Sequence, residues 1–139
     1  MLSRDRLRGV LVDEVWAYGY TLTIWGAGAI LIAEYGVPSH VDVLGYVAGS
    51  LLGFGLLTWY AFQGLLVGVE HERRDVRTAA QMVHLGATFL NLVGAVVFVR
   101  LAHGVGVPEV LTFALVGFQA TVVYSLFLVV EEELGRRLK

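Results

Sequence analysis

Gln81, His84, Thr88, Asn91 and Ala95 recur at intervals of three, four, three and four residues, and this is the pattern in the chain best suited to chemistry. On an α-helix that spacing puts all five on one narrow face. Carboxamides and hydroxyls exchange hydrogen bonds, and His84 adds a group whose charge can change near neutral pH. In an apolar medium such a face must bond to neighbouring helices or border water, because an unpartnered polar group there is costly. Gln63 and Gln119 are its expected partners. The two readings are interhelical hydrogen bonding and the lining of a conducting path.

The remaining ionisable groups narrow the chemistry. His40, His71 and His103 sit at the ends of apolar stretches or between them, so only His84 lies well inside one. Paired histidines on facing helices would suit haem b, but a second histidine well inside a stretch is missing from the pattern. With no cysteine, disulfides and thiolate sites are excluded. There is no zinc-type spacing, phosphate loop or nucleophile–base pair, so no metal, cofactor or catalytic residue is expected and an enzyme is disfavoured. All twelve acids fall at the ends of apolar stretches or between them. Proton-coupled transporters usually carry an embedded carboxylate, so the four-span small multidrug exporters, built around one in their first helix, are a poor match.

The elements that must position these residues follow from composition. Of 139 residues, 57% are hydrophobic and 16% are charged. Soluble domains average ~45–50% and ~25%, and a chain this short has too little interior to hide the excess. The net charge of −2 gives no footprint for nucleic acid. A spanning helix needs ~20 apolar residues, and four stretches qualify: about 15–36, 43–69, 79–103 and 110–130. Their connections, 37–42, 70–78 and 104–109, are short, which predicts successive helices as antiparallel neighbours. The expected fold is all-α: a polytopic membrane protein with one domain over 1–139, a four-transmembrane-helix antiparallel bundle. The first span reads as an uncleaved anchor, since its apolar run continues past the small residues Ala27-Gly28-Ala29.

Basic residues set the orientation. Arg4, Arg6 and Arg8 precede the first span, Arg73, Arg74 and Arg77 separate the second from the third, and Arg136, Arg137 and Lys139 follow the fourth. All lie on one side of a four-span layout, which predicts a multi-pass protein of the cell membrane with both termini cytoplasmic. Arg100 is near the outer end of span three, on the face opposite the polar stripe. It is expected to snorkel to the interface or to pair with Glu34 or Glu109. At ~1.5 Å per residue, Asn91 and Gln119 fall near the midplane, and His84, Gln63 and Tyr18 about 10 Å toward the cytoplasm. Tyr124 is somewhat nearer the middle.

Small residues mark a second stripe. Gly45, Gly49, Gly53, Ala61, Gly64 and Gly68 run along one face of span two. Lipid gives helices no hydrophobic reason to associate, so small residues that admit a neighbouring backbone matter more. The expected partner is span one, where Gly26, Ala29, Ala33 and Gly36 form a shorter stripe, with a subunit interface as the alternative. A weak internal echo links Val37-Pro38 and Gly53-Phe54 to Val107-Pro108 and Gly117-Phe118.

Three functions are compatible with these features. The first is an oligomeric channel or pore subunit with the polar stripe at its path. The second is a non-catalytic accessory or assembly subunit packed against a larger membrane protein. The third is a membrane haem b redox protein. Partners are therefore the bilayer and either further copies of the chain or a larger membrane protein. In topology alone, with a basic head and an acid at the outer end of span one, the layout resembles Orai-type calcium channels. That resemblance implies a pore lined by the first helix, with Glu34 at its outer mouth. Arg100 of span three is the other charge expected at that mouth.

Overall fold

The computed structural model describes residues 4–62 and 78–137, with side chains included except at 5, 7–17, 62, 78–85, 132 and 135. Four α-helices make up the described chain: α1 (Arg4–Tyr35), α2 (His40–Phe62), α3 (Thr78–Gly104) and α4 (Glu109–Arg137). Three contain stretches long and apolar enough to cross a membrane: His40–Ala61, Gly86–Gly104 and Glu109–Glu131. The span expected at 15–36 lies on α1 and is not among these three; part of it falls where side chains are not described. The basic head is helical from Arg4, so α1 begins well before that span. Residues 63–69 of the expected second span lie outside the described residues.

Both short turns use the same device. Gly36 (φ 83°) and Gly106 (φ 77°) adopt the left-handed conformation that glycine tolerates without strain. Each is followed by Val-Pro, which cannot continue a helix. After α3 the Val107 amide donates to the Ala102 carbonyl (2.9 Å) and the Gly106 amide to that of His103 (3.2 Å), closing a Schellman cap. At the start of α2 the Ser39 amide donates to Asp42 Oδ2 (2.9 Å), while the Asp42 amide donates to Ser39 Oγ (3.3 Å). This reciprocal capping box explains a buried aspartate at a helix entrance.

Contacts fix the relative directions of the helices. Gly45 faces Val110, Gly49 faces Ala114 and Gly53 faces Phe118, so α2 and α4 run parallel. Tyr20 and Tyr35 of α1 meet Thr121 and Thr112, so α1 runs against α4. Gly26 and Glu34 of α1 meet Leu92 and His103, so α3 runs with α1 and against α4. The helices thus alternate in direction, with both described turns at one end, here termed the turn end.

Their neighbours differ from the expected order. α4 packs against all three other helices, and α1 also packs on α3. Among the described residues α2 makes no close backbone contact with α1 or α3. Its link to α1 is the Tyr46 hydroxyl, which donates to the Ile24 carbonyl (2.5 Å). Of the two described hairpins, only α3–α4 closes as a packed pair. The reason is steric. A Cβ on Gly49 would lie 1.9 Å from the Ala114 carbonyl oxygen, and one on Gly117 2.3 Å from that of Tyr46. Glycines on both helices therefore bring two backbones together. On α1 the small stripe does not meet α2: Ala29 and Ala33 are exposed, and Gly26 faces Leu92 of α3. The core of the three remaining helices is built from Ala27, Leu31, Ala95, Val99, Phe113 and Val116.

Gly49→Ala and Gly117→Ala should each lower thermal stability in detergent, by about 1–3 kcal/mol or more, because the added methyl meets backbone rather than a movable side chain. Gly55→Ala meets nothing within 4 Å and should be neutral or mildly stabilising. Equal melting temperatures for all three variants would contradict the crossing.

Candidate functional site

The polar stripe of α3 turns into the protein over the part that is described. Thr88, Asn91 and Ala95 are all buried, Asn91 to 2% exposure. They continue through Val99 and Ala102 as the inward face of the helix. Gln81 and His84 lie on the same helix, but their side chains are outside the described residues, as is Gln63 altogether. Gly64 and Gly68 are outside them too.

At the middle of the bundle Asn91 uses both ends of its carboxamide. Its Nδ2 donates to the Ala120 carbonyl at 3.0 Å, and its Oδ1 accepts from Gln119 Nε2 at 2.6 Å. The equal depth of Asn91 and Gln119 in the sequence therefore corresponds to contact. Ala120 O is a helix carbonyl, so Asn91 bonds to backbone as well as side chain. Two buried atoms beside this pair stay unmatched: Thr88 Oγ1 and Gln119 Oε1 have no hydrogen-bond partner.

Thr88 is unusual in this respect. Thr23, Ser50, Thr58, Thr112 and Ser125 each donate to the carbonyl four residues earlier. That local bond lets a hydroxyl sit in a helix among apolar neighbours. Thr121 instead places its hydroxyl 3.4 Å from that of Tyr20, which also meets the ring of Tyr124 edge-on at 5.3 Å. Tyr18, expected among the inner polar groups, is 63% exposed. The buried line of α1 runs through Gly19, Thr23, Ala27 and Leu31, and Tyr18 projects beside it. Glu131 was counted among the acids at span ends, yet it is 5% exposed on α4. It lies seven residues, about two turns, beyond buried Tyr124 and on the same face. That spacing is the one signal that pointed to its burial.

At the turn end Glu34 pairs with a histidine and not with Arg100. Glu34 accepts from His103 Nδ1 at 2.9 Å, tying α1 to α3. The Tyr35 ring stacks on the same imidazole at 5.0 Å and 14°. Arg100 is exposed and makes no ion pair with Glu34 or Glu109 among the described residues. Arg100 is one 100° step past buried Val99, which turns its side chain off the inward face of α3.

No family model, curated protein or solved structure matches this chain. Its chemistry must be argued from its own side chains.

Among the described residues no group of three or more His, Asp or Glu is placed to hold a metal ion. His40 is exposed, and His103 is engaged by Glu34. What the described site does is join helices. Two amides and a carbonyl at mid-bundle bind α3 to α4, and an imidazole–carboxylate pair binds α1 to α3 at the turn end.

Asn91→Leu and Gln119→Leu should each destabilise the protein, since each leaves the other's polar atoms buried and unmatched. The double variant should be less damaging than the sum, with a coupling of ~0.6–2 kcal/mol in a double-mutant cycle. Strict additivity in detergent unfolding would mean that the two side chains do not interact.

Proposed function

We propose that this chain is a four-span integral membrane protein that serves as a non-catalytic accessory or assembly subunit of a larger membrane complex. The observation that carries this reading is the Asn91–Gln119 hydrogen bond, with Asn91 also bonded to Ala120 O. Asn91, the stripe residue at mid-bundle, is engaged within one chain, which favours packing over conduction. The lateral surface fits the same role: Leu44, Leu51 and Leu52 of α2 are 64–68% exposed. Among the described residues its backbone packs on α4 only, with Tyr46 reaching α1, so α2 offers a broad apolar flank to lipid or to another spanning helix.

The proposed topology places α1 across the membrane with both termini and residues 70–78 in the cytoplasm. The chain has no cysteine, so Ser3→Cys, Ser39→Cys and Asp75→Cys can each be labelled alone. An impermeant reagent on intact cells should modify Ser39→Cys and spare the other two. The reverse pattern would sink the orientation.

A second reading, an oligomeric channel subunit, is favoured by the unmatched Thr88 Oγ1 and Gln119 Oε1, since buried polar atoms of this kind suit water. Reconstitution in liposomes separates the two. The accessory role predicts ion flux equal to that of protein-free vesicles, in wild type and in Gln119→Leu alike. A flux that Gln119→Leu or His84→Ala reduces would establish the channel instead.

A further inference from the structure

We propose that Arg100 and the apolar flank beside it form a binding site for one phospholipid, with the guanidinium on the phosphodiester and an acyl chain along α3. Arg100 lies within the apolar stretch Gly86–Gly104, four residues, or about 6 Å, before its end. A guanidinium does not lose its proton in a protein and offers five donors, so it requires acceptors wherever it sits. Among the described residues it has no protein acceptor. Of the two carboxylates expected to compete for it at this end of the bundle, Glu34 already accepts from His103 at 2.9 Å, and Glu109 makes no ion pair with it.

The surroundings of Arg100 fit a lipid rather than a dissolved anion. Val93 and Val97 lie seven and three residues before it on its face, and Leu101 continues the row from Val97 one turn on; they are 43%, 53% and 62% exposed. They form a continuous apolar strip that ends at the cation. A two-tailed phosphodiester meets both demands at once: a chain lies on the strip while the phosphate takes the planar fork of donors in two parallel hydrogen bonds. From its depth the side chain needs only to extend toward the nearer interface, with its methylene stem against the same apolar surface. The site depends on membrane insertion of α3 and not on which end of the bundle faces the cytoplasm. It would hold for a channel as well as for an accessory subunit.

The test titrates the purified, delipidated protein in detergent with phosphatidylglycerol, with a diacylglycerol of the same tails, and with inorganic phosphate. Native mass spectrometry reads bound lipid, and the melting temperature reads stabilisation. Phosphatidylglycerol should bind at one molecule per chain and raise the melting temperature, while the other two ligands should do neither. Arg100→Gln should bind it about tenfold more weakly, having lost a charge-assisted pair, and Arg100→Lys should fall between because an ammonium keeps the charge without the fork. Equal binding of the diacylglycerol would overturn the proposal, and so would full stabilisation by inorganic phosphate. So would Arg100→Gln binding like wild type. Should Arg100→Gln fail to fold, the wild-type comparison of the three ligands decides alone.

Discussion

Apolar helices in a bilayer gain nothing by leaving lipid for one another, so what holds them is how closely their backbones approach. Among the described residues α2 and α4 approach most closely, where Gly49 lies under the Ala114 carbonyl and Gly117 under that of Tyr46. The two helices run parallel, which no short turn can impose, because a turn joins antiparallel neighbours. Packing at the crossing thus overrides the order of the chain. It draws α2 away from α1, its neighbour in sequence, and leaves α4 in the middle of the molecule. The other side of α4 is free to bury Phe113, Val116 and Ala120 against α1 and α3.

A second constraint acts on that buried side. Every polar group taken into the interior needs a partner from protein or water. Most of the hydroxyls meet it locally, on the carbonyl one turn back, and so place no demand on the neighbouring helix. Asn91 cannot do this. Its carboxamide reaches across to Gln119 and to Ala120 O, and that requirement fixes the register of α3 on α4. A shift of either helix by one residue along its axis, about 1.5 Å, would break bonds of 2.6 and 3.0 Å. The glycine crossing and the carboxamide pair act on different faces of α4 and together hold it on two sides.

The turn end completes the frame. Left-handed Gly36 and Gly106, each before Val-Pro, end α1 and α3 and reverse the chain. The Glu34–His103 pair and the Tyr35 stack then hold the ends of α1 and α3 together, although no loop joins those two ends. Because Glu34 is satisfied in this way, Arg100 is left to the surface. The same pairing ties the electrostatics of this end to packing between helices.

Much of this could be read from the residues alone. The apolar stretches from 79 to 103 and 110 to 130 gave α3 and α4 to within a few residues at the turn end, because length and hydropathy are properties of one segment. The stripe from Thr88 to Ala95 was legible as a face for the same reason: its spacing needs only one helix. Partnership was not legible. Gly45, Gly49 and Gly53 announce that a backbone will come close, but their spacing is the same whether α1 or α4 supplies it. Tyr18 and Tyr20 differ by two residues, and only the rotation of α1 in the bundle turns Tyr20 toward Thr121 and leaves Tyr18 exposed. Glu131 is an acid at the end of an apolar run in sequence and a buried side chain in the fold. Periodicity determines which residues share a face. Which face meets which depends on helix rotation and order, and these are decided by steric fit between segments distant in the chain.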